Sequence, residues 1–217
     1  SSLSSEASSG GGSHSEKDSG GSHSGEDSGG SHSGKSSSFD ASRYARFFEH
    51  PWLNEAARRF LFEERKIDWR VVNWCRLTSW TDQKGINWLQ IPYFDMDGRL
   101  IGIQNRNLDY RKTPTDFTDD TDSPSHQTEG SHQTEPMAPR FRFPYGARCS
   151  IYNLPVVGRL KPGEKLFITE GCSDCWAMLS AGHKAIAIPS ATLLKPEDKQ
   201  LLADIERQYQ VEFHMFL

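Results

Sequence analysis

From Pro51 onward the apolar residues Leu53, Ala56, Ala57, Phe60 and Leu61 recur at intervals of three and four, with Arg58, Arg59, Glu63 and Glu64 outside the series. That spacing is the stripe of an amphipathic helix whose charged residues face water. Asp68 is placed to cap a second helix, in which Val71, Trp74 and Cys75 keep the interval until the pattern fails near Ser79. Two β-rich runs follow, W-L-Q-I-P-Y-F and R-L-I-G-I-Q-N, separated by Asp95-Met96-Asp97-Gly98, whose Asp-Gly supplies the positive φ of a hairpin turn. The same four residues resemble the opening of a calcium loop. Arg99 at its fifth position, and no glutamate at its twelfth, favour the turn.

Beyond residue 160 the pattern changes. K-L-F-I-T from Lys165 predicts a buried strand, Ser173 to Ala181 a helix closed by Gly182, and A-I-A-I-P from Ala185 a second strand. Pro196 suits the first turn of another helix with Leu201, Leu202 and Ile205 on one face, and V-E-F-H-M-F-L makes a third strand. This β-α-β-α-β order is that of a parallel sheet covered by helices. Ligands of such sheets bind beyond the carboxyl ends of the strands, so Glu170, just after its strand, stands where chemistry belongs.

Two stretches add nothing to a core. Residues 1–40 are nearly all Ser, Gly, His and acid, with G-G-S-H-S recurring so that His14, His23 and His32 fall in register. A repeat this short and polar reads as a solvated tail, and weak metal binding by its histidines stays an alternative. Residues 111–138, with a small S-H-Q-T-E duplication, read as a polar, flexible insertion.

Splitting the charge sharpens the overall balance of −4. The tail carries 2 basic and 6 acidic residues and 112–138 carries 1 and 6, whereas 41–111 has 12 basic against 9 acidic and 139–217 has 10 against 8. The foldable parts are mildly basic, which suits a nucleic-acid surface without requiring one. No run of about 18 apolar residues and no charged start with an apolar signal core occur, so a cytoplasmic protein without a membrane partner is expected. The absence of methionine at Ser1 suggests a piece of something longer.

The stretch T-E-G-C-S-D-C-W-A-M poses a choice between thiol and carboxylate chemistry. Cys172 at a helix N-terminus has grounds for a lowered pKa, and C-x-x-C beside a βαβ pattern is a redox cue. Zinc needs four ligands, and Cys75 and Cys149 stand apart from each other in the sequence. Small, semi-buried helix residues are the favoured reading of Cys172 and Cys175. Glu170 followed by Gly171, with Asp174 one turn on, is a better site: one or two carboxylates are the usual protein share of a Mg²⁺ shell. The alternative for Glu170 is a bond to helix N-terminal amides.

The order strand, Glu-Gly, two residues, Asp, apolar helix, Ala-Gly, strand in L-F-I-T-E-G-C-S-D-C-W-A-M-L-S-A-G-H-K-A-I-A-I-P resembles the first half of a TOPRIM domain, the fold of DnaG-type primases, topoisomerases and some nucleases. Upstream, I-P-Y-F-D-M-D-G-R-L-I-G-I-Q-N-R-N-L-D-Y and P-R-F-R-F-P-Y-G-A resemble successive primase segments. The resemblance implies an α/β fold: a partial TOPRIM domain over 139–217 preceded by a primase-like α+β subdomain over 41–110 that presents a basic face to template DNA. It makes Glu170 similar to the catalytic, metal-associated glutamate and Asp174 to its supporting acid. Arg106 and Arg140, with Arg142 beside them, are implied to face nucleic acid or nucleotide phosphates.

That family places an Asp-x-Asp pair after the next strand, the strand at whose end this sequence stops at Leu217, and a zinc ribbon in front, where a Ser/Gly/His tail stands here. The expectation is therefore a fragment of a DnaG-like primase, from a mobile element or phage-related replication system, with an incomplete Mg²⁺ (or Mn²⁺) site and no catalysis by itself. Its reaction would be template-directed joining of ribonucleotides on single-stranded DNA, with a replicative helicase as a possible partner. A non-catalytic single-stranded DNA-binding module and a TOPRIM nuclease are the alternatives.

Overall fold

The computed structural model describes residues 38–110 and 138–216. Residues 1–37 of the tail and all but the last residue of the polar insertion lie outside the described residues, and with them the histidine repeat.

After a short turn over Ala41–Arg43 and helix α1 (Ala45–Glu49), the first predicted helix begins where the Asn54 side chain accepts the Ala57 amide at 2.9 Å. α2 (Glu55–Arg58) keeps ordinary α geometry for one turn and then widens to π-helical winding over Arg59–Glu64. The winding ends with the Arg65 amide donating to the carbonyl of Phe60, five residues back. Ala57, Phe60 and Leu61 are buried, so the apolar stripe faces the core despite the widening. Asp68 caps α3 (Trp69–Trp74) by accepting the Arg70 amide at 2.8 Å.

The hairpin is present as β2 (Asn87–Phe94) and β3 (Leu100–Asn107). Its turn is closed by the Asp95 carboxylate, which accepts the amides of Asp97 and Arg99, and Gly98 has φ +79. Two strands the sequence did not announce complete an antiparallel sheet of order β1-β2-β3-β4: β1 (Thr78–Thr81), and β4 (Phe141–Arg142), only two residues long.

The second sheet is parallel, in the order β6-β5-β7, from β5 (Lys165–Glu170), β6 (Ala185–Ile188) and β7 (Glu212–Phe216). Helices α4 (Cys172–Ser180) and α5 (Pro196–Tyr209) connect them, as the periodicity predicts. The molecule is thus mixed α/β, one antiparallel and one parallel sheet.

Two apolar clusters hold it together. One joins α2, α3 and the inner face of β2 to α4 and β6; the other lies among β5, β6, α5 and the turn Leu154–Arg159. Tyr152 ties the sheets: its backbone bridges Ala187 of β6, and its ring packs edge-on against Tyr93 of β2 at 5.1 Å. Its hydroxyl accepts the indole N–H of the fully buried Trp176 at 2.9 Å. Among the described residues no helix is long and apolar enough to cross a membrane.

Candidate functional site

Glu170 is the last residue of β5, the central strand, at the carboxyl end of the parallel sheet. The chain then turns through Gly171, whose φ of +87 is a conformation that side-chain-bearing residues rarely adopt, and enters α4. Apart from its two chain neighbours, no atom of the described residues lies within 4 Å of where a Cβ at Gly171 would stand, so the turn faces open space. α4 starts without a side-chain cap, and Asp174 sits in its first turn. Both carboxylates are exposed, and among the described residues neither has a hydrogen-bond or ion-pair partner.

Across from them stands the antiparallel sheet. Arg106 pairs with Phe141 between β3 and β4, which puts both side chains on the same face. The cleft between this face and the carboxyl end of β5, about 380 Å³ in volume, is lined by Glu170 and Asp174 on one side and by Arg65, Arg106 and Arg140 on the other. The guanidiniums rest on aromatic rings: Arg106 lies 4.7 Å from the centroid of Phe60, Arg65 5.4 Å from the same ring, and Arg140 5.0 Å from Phe141. Burial pushes the pKa of Arg106 down to about 10, and the charges of Arg140 and Arg65 push in the same direction. An anion between these groups would relieve that repulsion. The floor is polar: the Tyr93 hydroxyl lies 3.3 Å from the Cys172 sulfur and 3.4 Å from Gln104 Oε1.

Four of the five residues that sequence reasoning put forward therefore line one cleft. Arg142 does not. Its neighbour in the ladder is Asn105, one position from Arg106, so its side chain leaves the opposite face of the sheet. There it lies 4.4 Å from the Trp88 ring centroid and 3.8 Å from the Asp82 carboxylate.

Arg65, Gln104, Phe141 and Phe143 line the cleft without having been singled out. Gln104 was findable, since it sits two residues from Arg106 on one strand. Arg65 was not, because its position depends on the π-helical winding.

The thiols have another setting. Cys172 and Cys175 are buried, and Cys75 and Cys149, distant in sequence, belong to the same core. Burial pushes Cys172 up to about 12, outweighing the lowering expected from a helix N-terminus, and pushes Cys75 and Cys149 to the same value. The Cys175 sulfur donates to the carbonyl of Ala185. Among the described residues no three His, Cys, Asp or Glu side chains are grouped to hold a metal. What Glu170 and Asp174 offer is a pair of hard oxygen donors with unshared lone pairs. That fits Mg²⁺ or Mn²⁺ completing its shell from water and phosphate oxygens, and not a four-ligand zinc site.

The sequence matches no family model and no curated protein. Its fold is similar to solved primase structures. One contains the zinc-binding and RNA polymerase domains of the Aquifex aeolicus primase, at 16% identity and a TM-score of 0.49, covering 75% of this chain and 43% of that one. Another is the E. coli primase catalytic core, at 14% identity and a TM-score of 0.48, covering 82% and 70%. A third is the RNA polymerase domain of Mycobacterium tuberculosis primase DnaG in complex with double-stranded DNA, at 15% identity and a TM-score of 0.49, covering 81% and 59%.

Proposed function

We propose that the cleft is the metal- and phosphate-binding site of a primase-type nucleotidyltransferase acting in DNA replication. The observation that carries this reading is the gathering of two unpartnered carboxylates, Glu170 and Asp174, opposite three guanidiniums in one cleft. The Glu-Gly-x-x-Asp order and the hairpin before it supply the chemistry class. In this reading 139–217 is the TOPRIM-like part and 41–110 the part that receives template.

Glu170 and Asp174 would hold a divalent cation, which when bound neutralises phosphate charge and polarises the phosphorus for attack. Arg106 and Arg140, and Arg65 at the rim, bind phosphate oxygens and fix their orientation. Half-buried Arg106 does so with little side-chain freedom to lose, because Phe60 holds its guanidinium. The substrates of this reading are ribonucleoside triphosphates and a single-stranded DNA template, and a replicative helicase is the partner such a primase would serve.

The test is binding by the 217-residue chain, followed by calorimetry with a ribonucleoside triphosphate in the presence of Mg²⁺ or Mn²⁺. Affinity that needs the cation, and loses that need in Glu170→Gln and Asp174→Asn, supports the reading. With two carboxylates at the cleft among the described residues, binding without primer synthesis is the expected behaviour of this chain. Strand cutting instead would favour the nuclease alternative. Salt-sensitive binding of single-stranded DNA that ignores Glu170→Gln would favour the non-catalytic module.

A further inference from the structure

Phe143 follows β4 and lines the cleft, yet 54% of it is exposed. Its neighbour Phe141 is differently employed: it is partly buried, and both Arg106 and Arg140 rest on its ring. No ring contact or guanidinium engages Phe143 among the described residues. The cleft thus presents a free aromatic face beside a set of cations and carboxylates.

We infer that Phe143 is the platform on which the base of a bound nucleoside triphosphate stacks while its phosphates lie among Arg65, Arg106 and Arg140. This rests on the phosphate-binding reading of the cleft and adds the half of the ligand that reading leaves unheld. An exposed aromatic ring loses apolar hydration when a base covers it, and base–aromatic stacking is a tenfold or larger effect on affinity. The guanidiniums of Arg106 and Arg140 are already engaged with Phe60 and Phe141, so they are oriented for phosphate and are not available to stack a base. The volume of about 380 Å³ is of the order that small-ligand sites occupy, and Phe143 stands in the same lining as Arg65, Arg106 and Arg140. Stacking is tolerant of base identity, so Phe143 supplies affinity and orientation and leaves the choice of base to pairing with a template. Phe143 is a positioning residue in this scheme.

The probes are ATP, GTP and inorganic tripolyphosphate, each titrated into the full chain with Mg²⁺, and an oligothymidylate strand is titrated in parallel as a comparison. Wild type is expected to bind the nucleotides about tenfold more tightly than tripolyphosphate. Phe143→Ala should abolish that difference while leaving tripolyphosphate affinity unchanged, and Phe143→Trp should restore it, with indole fluorescence quenched by nucleotide and not by tripolyphosphate. Equal losses for nucleotide and tripolyphosphate in Phe143→Ala, or no loss for either, would overturn the inference. So would a loss confined to an oligothymidylate strand, which would make the platform one for single-stranded DNA. If wild type binds tripolyphosphate with the same affinity as nucleotide, the stacking idea fails and the phosphate site stands. If it binds none of the three, both fail.

Discussion

The guanidinium of Arg106 sits 4.7 Å above the Phe60 ring and shares its cleft with the charges of Arg65 and Arg140. A half-buried cation among cations is held at a cost to the fold, as the lowering of its pKa to about 10 shows. Between that value and the ordinary 12.5 the unfolded chain keeps a proton that the native state sheds, so the penalty is fully present below pH 10 and relaxes as pH rises. Arg106→Met removes the charge and keeps much of the apolar stem's volume. The expected result is a melting temperature a few degrees higher together with polyphosphate affinity at least tenfold lower. A lower melting temperature would mean that the contacts with Phe60 and Phe141 outweigh the burial.

The two arginines that flank Phe141 should behave oppositely. Arg140 lines the cleft, whereas Arg142 pairs with Asp82 behind the sheet. Arg140→Ala is expected to weaken polyphosphate binding severalfold and to reduce its salt dependence. Arg142→Ala should leave both as they are. Titrations at two salt concentrations distinguish the pair.

Gly102 on β3 is required for steric reasons alone. A Cβ there would come to 2.5 Å from the Arg148 carbonyl oxygen and 2.8 Å from the Cys149 sulfur. Backbone cannot yield as a side chain can, so Gly102→Ala should cost about 1 to 3 kcal/mol, measured by urea denaturation. Wild-type stability in this variant would show that the segment at 148–149 shifts freely.

Buried thiols make the fold sensitive to alkali. Cys75, Cys149 and Cys172 titrate at about 12 in the native state and at an ordinary 9.0 once unfolded. Between these values the native state retains protons that the unfolded state releases, so their contribution is intact below pH 9 and declines as pH rises toward 12. Tyr93 and Tyr152, also pushed up by burial, add to the decline from about pH 10. Urea midpoints should fall between pH 8.5 and 10.5, and fall less steeply in Cys172→Ala. At pH 8 a thiol reagent should label the native chain slowly and the denatured chain at once.

How far the sequence carried can be judged from single residues. The β-rich run W-L-Q-I-P-Y-F with its Asp-Gly turn gives the hairpin, and the period of 3.6 after Pro51 gives the first helix because Ala57, Phe60 and Leu61 bury one face of it. Glu170 and Asp174 were legible because a strand, a glycine and a helix follow one another locally. β4 was not, since two residues carry no period and their pairing with Arg106 is decided far along the chain. That pairing also decides which of Arg140 and Arg142 reaches the cleft, and a one-residue shift in register would exchange the faces of Phe141 and Arg142. The convergence of four thiols likewise depends on packing between α3, α4 and the hairpin, for which their spacing in the sequence holds no sign.

Tyr152 spans the boundary between the two sheets, its backbone on Ala187 and its ring between Tyr93 and Trp176. The cleft's cations are carried mainly by the antiparallel sheet and the helix against it, and its carboxylates by the end of β5 and the first turn of α4. An aromatic layer deep in the core lies between the elements that carry the two sets of charges, in the position of a spacer. A residue outside the cleft's lining thus joins the two walls that form it.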